Sequence, residues 1–401
     1  MNKPAVELAE IFRGLDLTDW ERKGFPLTVM QRRVLRDIGQ CRTAALGGHL
    51  EQCDQCAYTQ MAYNSCRNRH CPKCQAAARA DWLVERAAEL LETEYFHVVF
   101  TLPAQLSPLA LQNKRLMYGL LFKAASETLL EIAADPRHLG AQIGFLAVLH
   151  TWGQTLQHHP HLHCVVPGGG LSPDHTKWIA CRQGFFLPVK VLSRRFRHKF
   201  LGALRQVLAE RKLICAGQLT PLTQSQQYEK LLQELGEREW VVYAKPPFGG
   251  PAQVLKYLAR YTHRVAISNY RLLSFAENRV TFSYKDYAAG NVSKTMTLEA
   301  REFTRRFLLH VLPKGFVRIR HYGYLANRDR HAKLELCRQR IAQSDVPSSS
   351  EPQLPVSDQT RMEESFRCPV CRKGKMKRIE VSTIPTAALR EVALVFWANS
   401  S

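Results

Sequence analysis

The cysteines constrain the fold of this 401-residue chain more than any other feature, because most of them are clustered. Five of the twelve lie between Cys53 and Cys74, and Cys368 and Cys371 form a separate pair. The first residues contain no hydrophobic signal-peptide core, so we expect a cytoplasmic protein, in which a disulfide framework is disfavoured. Clustered thiols in that compartment indicate bound metal.

Two Cys-x-x-Cys pairs predict a zinc-binding module in the N-terminal part. Cys53 and Cys56 are followed, after fourteen residues, by Cys71 and Cys74. Each tight turn of this kind presents two sulfurs to one tetrahedral ion, so we expect these four thiolates to hold one structural Zn²⁺. Such a closed site supplies folding energy and leaves no open position for chemistry.

Other cysteines and histidines leave the ligand set of the module open. Four of them are rival ligands or members of a second site: Cys41, His49, Cys66 and His70. The Cys368–Cys371 pair is half of a zinc site. It needs a partner pair from elsewhere, or it is a remnant that binds nothing.

The stretch His158–Val166 predicts a short buried strand with two histidines on one face. Successive side chains of a strand alternate between its faces, so His161 and His163 point the same way while Leu162 points into the core. Two neutral imidazoles on one face are half of a divalent-metal site.

A third ligand is expected to complete that site with an oxygen atom, because Mg²⁺ prefers oxygen and Mn²⁺ accepts it. Gln154 is our candidate, since its carbonyl oxygen is hard and strand pairing could bring it near the histidines. His150 and His159 are its rivals.

Two tyrosines downstream are candidate nucleophiles. A helix predicted to begin at about Pro251 carries Tyr257 and Tyr261, which share one face because they are four residues apart. A tyrosine with its ordinary pKa of about 10 needs a metal or a base to assist proton loss. Three neighbours could grip backbone phosphates: Arg260, His263 and Arg264.

The charge of the chain favours a polyanionic partner. Lys and Arg number 56 against 35 acidic residues, a formal charge of +21 spread over the whole length. Three basic residues make the zinc module itself suited to duplex or hairpin DNA: Arg67, Arg69 and Lys73. No apolar run is long enough to span a membrane.

Residue patterns predict an α+β fold in which helices alternate with antiparallel strands. Strands are expected at Tyr95–Leu102, Phe145–His150 and His161–Val166, the last two paired antiparallel, and helices at about Leu27–Ile38 and Pro108–Ala134. A hairpin is expected around Glu277 and Asn278. Gly168-Gly169-Gly170 lacks the lysine of a phosphate-binding loop, so we expect a turn there and no nucleotide cofactor.

Together these motifs resemble the rolling-circle transposases of the insertion-sequence ninety-one type, which are His-hydrophobe-His (HUH) endonucleases with two tyrosines. The resemblance extends from about Leu27 to Ile341, and four segments carry it: Cys66–Cys74, His159–His163, Tyr257–Asn269 and Gly315–Gly323. It implies an HUH core with an antiparallel sheet flanked by helices, preceded by a small zinc-binding domain. It also implies that Tyr257 and Tyr261 are the active tyrosines and that His161 and His163 bind the catalytic Mg²⁺ or Mn²⁺.

The resemblance implies a function and partners as well. The protein would nick and rejoin single-stranded DNA at the ends of an insertion element through a 5′-phosphotyrosine. Its partners would be single-stranded DNA and the hairpin or duplex ends of the element in a prokaryotic nucleoid, with strand displacement left to the host replication machinery. A plasmid replication initiator or relaxase would use the same chemistry, and a non-enzymatic zinc DNA-binding protein would need only the basic zinc module.

The predicted domains follow one another along the chain. They are an N-terminal helix with the zinc-binding domain (1–94), the endonuclease domain (95–300), a helical C-terminal extension (301–342), a linker of disordered-type composition (343–365) and a terminal Cys-pair segment (366–401).

Overall fold

The computed structural model describes residues 4–22, 26–248, 254, 265–287, 289–344 and 367–382. Two compact units divide these residues. One comprises the described parts of 1–82, 263–311 and 354–401, and the other those of 83–262 and 312–353. The units are therefore discontinuous in sequence, whereas the predicted domains are contiguous. No helix among the described residues is long and apolar enough to cross a membrane.

The described helices are α1 (Leu8–Arg13), α2 (Leu17–Arg22), α3 (Val29–Gly39), α4 (Pro72–Ala87), α5 (Ser107–Gln112), α6 (Lys114–Ala134), α7 (Val189–Ala209), α8 (Ser225–Glu237), α9 (Ala300–Leu309) and α10 (Arg330–Ala342). The described strands are β1 (Gly48–Cys53), β2 (Thr59–Tyr63), β3 (Tyr95–Thr101), β4 (Gly144–Trp152), β5 (His158–Pro167), β6 (Gly169–Leu171), β7 (Trp178–Ala180), β8 (Val242–Phe248), β9 (Leu272–Ala276), β10 (Arg279–Asp286), β11 (Val292–Glu299), β12 (Ile319–Gly323) and β13 (Met376–Ser382). This mixture of helices with antiparallel sheets confirms the predicted α+β class.

The second unit is built on a five-stranded antiparallel sheet in the order β12-β4-β5-β3-β8. The predicted pairing of β4 with β5 is confirmed, and β3 pairs with the other side of β5. The strand β12 lies at one edge. It falls in the predicted helical C-terminal extension (301–342), where no strand was expected, because five residues of mixed polarity carry a weak strand signal.

One face of this sheet is covered by helices. Leu162, Cys164 and Val166 of β5 are fully buried in a core that α6, α7 and α8 complete. Burying one apolar face sets the register of a strand, because a shift by one residue would exchange its two faces. The alternate residues of β5, among them His161 and His163, are therefore held on the opposite face, as the sequence predicts.

The glycines after β5 form a strand and not the turn that we predicted. Gly169 and Gly170 lie in β6, which pairs with β7 and bridges to Gln142. A Cβ at Gly170 would lie 2.5 Å from the backbone oxygen of Gln142, and one at Gly169 would lie 2.6 Å from that of Ile179. Glycine is needed here because neighbouring backbones approach closely, not because the chain reverses.

The first unit begins with helices that pack on its later residues. α3 begins after the N-cap residue Thr28. The Thr28 hydroxyl accepts a hydrogen bond from the backbone amide of Gln31, and the Gln31 side-chain oxygen accepts one from the backbone amide of Thr28. The predicted helix is confirmed, and Val34, Leu35 and Ile38 are buried. Val29, at the first position of the helix, is 86% exposed.

Two three-stranded antiparallel sheets complete the first unit, in the orders β13-β1-β2 and β11-β10-β9. The predicted hairpin joins β9 to β10. Its central residues Glu277 and Asn278 both have positive φ, at 48° and 56°, as a tight hairpin turn requires. β11 was not predicted, because its mostly exposed side chains give no apolar alternation.

Candidate metal centres

Three histidines converge on the face of the five-stranded sheet that is opposite the helices α6, α7 and α8. His150 on β4 lies directly opposite His161 on β5, and His163 follows two residues later on the same face. One ring nitrogen from each of the three lies within 4.8 Å of the others. Imidazole nitrogens at this spacing can share a divalent cation. The sequence had named His150 only as a rival for this position.

Two of these histidines are oriented by a hydrogen bond to Nδ1, which leaves Nε2 for a metal ion. The Nδ1 of His161 lies 2.6 Å from the backbone oxygen of His159. A carbonyl only accepts, so Nδ1 carries the proton and the lone pair of the neutral ring is on Nε2. The Nδ1 of His163 lies 2.8 Å from Nε2 of His97, so this ring too would bind a metal through Nε2.

His97 is a neighbour of the metal centre that the sequence interpretation missed. It lies on β3, is 3% exposed, and its ring stacks on that of His163 with centroids 5.0 Å apart. Burial, with smaller contributions from Lys245 and His161, lowers the pKa of His97 to about 3. His97 is therefore neutral near pH 7, and its Nε2 can accept the proton on His163 Nδ1. A histidine in an otherwise apolar strand was the signal.

A second group of polar residues stabilises the start of β5 from the covered side. The ring of His158 is hydrogen-bonded to the hydroxyls of Ser107, at 2.6 Å, and Tyr118, at 2.8 Å. Burial lowers the pKa of His158 to about 3 and raises that of Tyr118 above its ordinary value. Tyr118 is fully buried, so this hydrogen-bonded group ties the start of the strand to the core.

Of the other residues predicted for the catalytic site, Gln154 alone lies within the described part of the chain. Gln154 lies in the loop between β4 and β5 and stays a prediction as the third ligand. The other five lie outside the described residues: Tyr257, Arg260, Tyr261, His263 and Arg264.

The structure groups the cysteines differently from the single predicted site. Cys71 and Cys74 at the start of α4 join Cys41 and Cys66, whereas Cys53 and Cys56 join the distant pair Cys368 and Cys371. The hairpin of β1 and β2 separates the two pairs that we expected to meet. The cluster of Cys41, Cys66, Cys71 and Cys74 is called the first tetrad, and that of Cys53, Cys56, Cys368 and Cys371 the second tetrad. His49 and His70 belong to neither.

The sulfur positions of the first tetrad suit a tetrahedral ion. The Sγ of Cys74 lies 3.6 Å from those of Cys41 and Cys66, and the Sγ of Cys71 lies 3.6 Å from that of Cys41. Four sulfurs placed tetrahedrally about 2.3 Å from Zn²⁺ are about 3.8 Å apart. The tetrad therefore has the donor set and the spacing of a structural zinc site.

The three basic residues near this tetrad differ in exposure. Arg67 is exposed and has a positive φ of 50° directly after Cys66. Arg69 is half-buried, and burial lowers its pKa. Lys73 is half-buried and forms an ion pair with Glu7. Of the three, Arg67 is best placed to meet a phosphate.

Matches to known proteins cover both the cysteine-rich N-terminal part of the chain and the part that contains His150, His161 and His163. Residues 17–102 match the family model described as "Transposase zinc-binding domain", and residues 144–333 match the one described as "Putative transposase". The chain is 56% identical over 386 residues to the "Putative transposase y4qJ" of Sinorhizobium fredii, covering 95% of this chain and 96% of that protein. It is 28% identical over 294 residues to the "Transposase for insertion sequence element IS801" of Pseudomonas savastanoi pv. phaseolicola, covering 72% of this chain and 68% of that protein. No solved structure matches the chain significantly.

Proposed function

Because the chain belongs to the transposases of the insertion-sequence ninety-one type, we propose that it nicks and rejoins single-stranded DNA at the ends of its element by rolling-circle chemistry. Transposition makes the DNA of an insertion element its partner, and the zinc-binding domain gives it structural zinc. The relatives described as transposases extend over most of the chain. This favours a transposase over a plasmid initiator or relaxase with the same chemistry.

The observation that carries the nuclease proposal is the convergence of His150, His161 and His163 on one face of the sheet. These residues fit a divalent cation, because the His161 ring is held as the tautomer with its lone pair on Nε2 and the His163 ring is held by His97. A bound Mg²⁺ or Mn²⁺ would neutralise charge on the scissile phosphate and polarise it. Gln154 is the proposed source of an oxygen ligand.

Tyr257 and Tyr261 are the proposed nucleophiles. The phenolic oxygen of one tyrosine would lose its proton and attack the phosphorus, the bond to the 3′-oxygen would break, and a 5′-phosphotyrosine with a free 3′-hydroxyl would result. The phosphodiester energy is retained in this linkage, so the strand can be rejoined without a nucleotide cofactor. The second tyrosine would attack another strand while the first holds the transferred end.

Electrostatic contacts are proposed to bring DNA to these groups. Arg67 with Arg69 and Lys73 would bind phosphates at the zinc module, and Arg260, His263 and Arg264 would do so beside the tyrosines. Strand displacement would depend on host replication in the cytoplasm.

A covalent-trapping experiment tests the proposal. Protein mixed with single-stranded terminal DNA and Mn²⁺ should form an adduct that survives denaturing electrophoresis. The adduct should carry a label placed 3′ of the break, because the 5′-phosphate of that fragment is joined to tyrosine, and it should lack a label placed 5′ of the break. Tyr257→Phe with Tyr261→Phe should abolish the adduct. Each single change should leave partial cleavage, because the other tyrosine can still attack, but should impair complete transposition. Tyr→Phe removes one oxygen and nearly preserves packing, so any loss reports on chemistry.

Tyr243 provides the matched control in that experiment. On β8 it lies opposite Val99, which lies opposite His163, so it shares the face of the three histidines, about 10 Å from the candidate metal centre. It is 49% exposed. Tyr243→Phe should leave the adduct intact. If the adduct instead persists in the double variant and disappears with Tyr243→Phe, Tyr243 is the nucleophile and the assignment to the pair is wrong; Tyr270 is tested next.

A further inference from the structure

Two of the four cysteines of the second tetrad lie outside both segments that match family models. Cys53 and Cys56 fall within residues 17–102, but Cys368 and Cys371 follow the last matched residue by more than thirty positions. We propose that these four thiolates bind a second structural Zn²⁺, which fastens the C-terminal segment 367–382 to the N-terminal zinc domain.

The sulfur geometry supports a metal and excludes disulfides. The Sγ of Cys53 lies 3.7 Å from that of Cys371, and the Sγ of Cys56 lies 3.6 Å from that of Cys368. A disulfide requires about 2.05 Å, whereas the edges of a tetrahedral zinc tetrathiolate measure about 3.8 Å. None of the four cysteines forms a disulfide, and together they make up one cluster.

The two Cys-x-x-Cys turns have nearly the same backbone form. Each places a residue with positive φ directly after its second cysteine, Ala57 at 57° and Arg372 at 56°. In each, the amide of the first cysteine donates to a carbonyl beyond the turn, Cys53 to Tyr58 and Cys368 to Gly374, both at 2.8 Å. This repetition in two distant segments indicates a common requirement, namely to aim two sulfurs at one point.

Backbone amides in both turns also point at the sulfurs. The amides of Gln55 and Cys56 donate to Sγ of Cys53 at 3.4 and 3.5 Å, and the amide of Gly374 donates to Sγ of Cys371 at 3.3 Å. Such donors stabilise negative charge on sulfur, which is the form that binds zinc. A Cβ at Gly374 would overlap the Sγ of Cys53, so the two turns meet too closely for any other residue there.

Contacts beside the sulfurs hold the segment in register. Asp54 and Lys375 exchange two hydrogen bonds: the amide of Asp54 donates to the Lys375 carbonyl at 3.1 Å, and the Lys375 amide donates to the Asp54 carboxylate at 2.8 Å. β13 then pairs with β1 from Cys53↔Met376 to Gly48↔Ser382. The strand β1 thereby becomes the centre of a sheet whose edge would otherwise be open.

The segment that the second tetrad and β13 attach to the zinc domain is strongly basic. Six of the twelve residues from 367 to 378 are Lys or Arg: Arg367, Arg372, Lys373, Lys375, Lys377 and Arg378. A second zinc would therefore fix this charge at the edge of the zinc domain, after a linker of low-complexity composition.

Metal analysis of the full-length protein tests the proposal. Elemental mass spectrometry should find two zinc atoms and no iron per chain. Cys368→Ser with Cys371→Ser should reduce this to one. The matched control, Cys181→Ser with Cys215→Ser, removes two thiols outside both tetrads and should keep two. One zinc in the wild type, an unchanged zinc content in the Cys368/Cys371 variant, or iron in place of zinc would overturn the proposal.

A cleavage experiment keeps the test independent of any folding defect in the variant. A protease site is inserted within the linker 345–366 of the otherwise native chain, and the folded, N-terminally tagged protein is cut. The C-terminal fragment should stay bound to the tagged part at neutral pH and should be released by a zinc chelator. A fragment that leaves without the chelator, or remains after zinc has been removed, would contradict a zinc-held attachment.

Discussion

Histidine tautomers decide which ring nitrogens of His161 and His163 would bind the proposed cation. The carbonyl of His159 keeps the proton of His161 on Nδ1, and neutral His97 can do the same for His163. Residues that hold metal ligands in this way act through orientation and basicity, and losing them typically weakens metal binding about tenfold to a hundredfold. His97 is thus proposed as a positioning residue.

The corresponding prediction concerns two substitutions of His97. His97→Phe should raise the Mn²⁺ concentration needed for half-maximal nicking by about tenfold to a hundredfold, because the His163 ring loses its acceptor. His97→Gln, whose amide oxygen can still accept from Nδ1, should restore most of that affinity. Calorimetric titration of Mn²⁺ into DNA-free protein checks both values, and equal affinities for His97→Phe and wild type would rule out the positioning role.

At the scale of elements, the close approach of β6 to its neighbours explains why glycines follow β5. Gly170 faces the backbone of Gln142 at a separation that admits no side chain, whereas Gly119 in α6 has nothing within 4 Å of an added Cβ. The same substitution should therefore have opposite effects at the two positions.

Gly170→Ala should lower the free energy of unfolding by about 1–3 kcal/mol, because backbone must shift to accept the methyl group. Gly119→Ala should raise it by about 0.5–1 kcal/mol, since alanine is the better helix former. Urea denaturation followed by circular dichroism measures both changes. A neutral Gly170→Ala would show that β6 is not packed as tightly as its contacts indicate.

For the whole molecule, the formal charge of +21 is expected to supply the proposed affinity for DNA, whereas the histidines are proposed to act in its cleavage. Phosphate contacts by Lys and Arg supply most of the affinity for single strands, with a salt slope of about −0.7 per phosphate neutralised. The histidines of the metal centre contribute no permanent charge to that affinity.

We therefore expect His161→Ala with His163→Ala to abolish nicking while leaving the affinity for single-stranded DNA and its salt slope close to those of wild type. Fluorescence anisotropy at several salt concentrations, beside the nicking assay, makes the comparison. Arg67→Ala serves as the opposite control, since removing an exposed phosphate ligand should make the slope less steep by about 0.7. Wild-type nicking in the histidine variant would refute the metal assignment.

The sequence by itself determined what depends on neighbouring residues. Strand alternation placed His161 and His163 on one face, and each Cys-x-x-Cys turn presents two sulfurs to one point, because a few bonds fix these geometries. Only the tertiary structure decided which cysteines cluster, how His97 and His150 come to lie beside His161 and His163, and that β13 extends the sheet of β1. These arrangements depend on contacts between residues up to 334 positions apart, as in the pairing of Gly48 with Ser382. Spacing along the chain does not encode which of several chemically equivalent partners comes within reach.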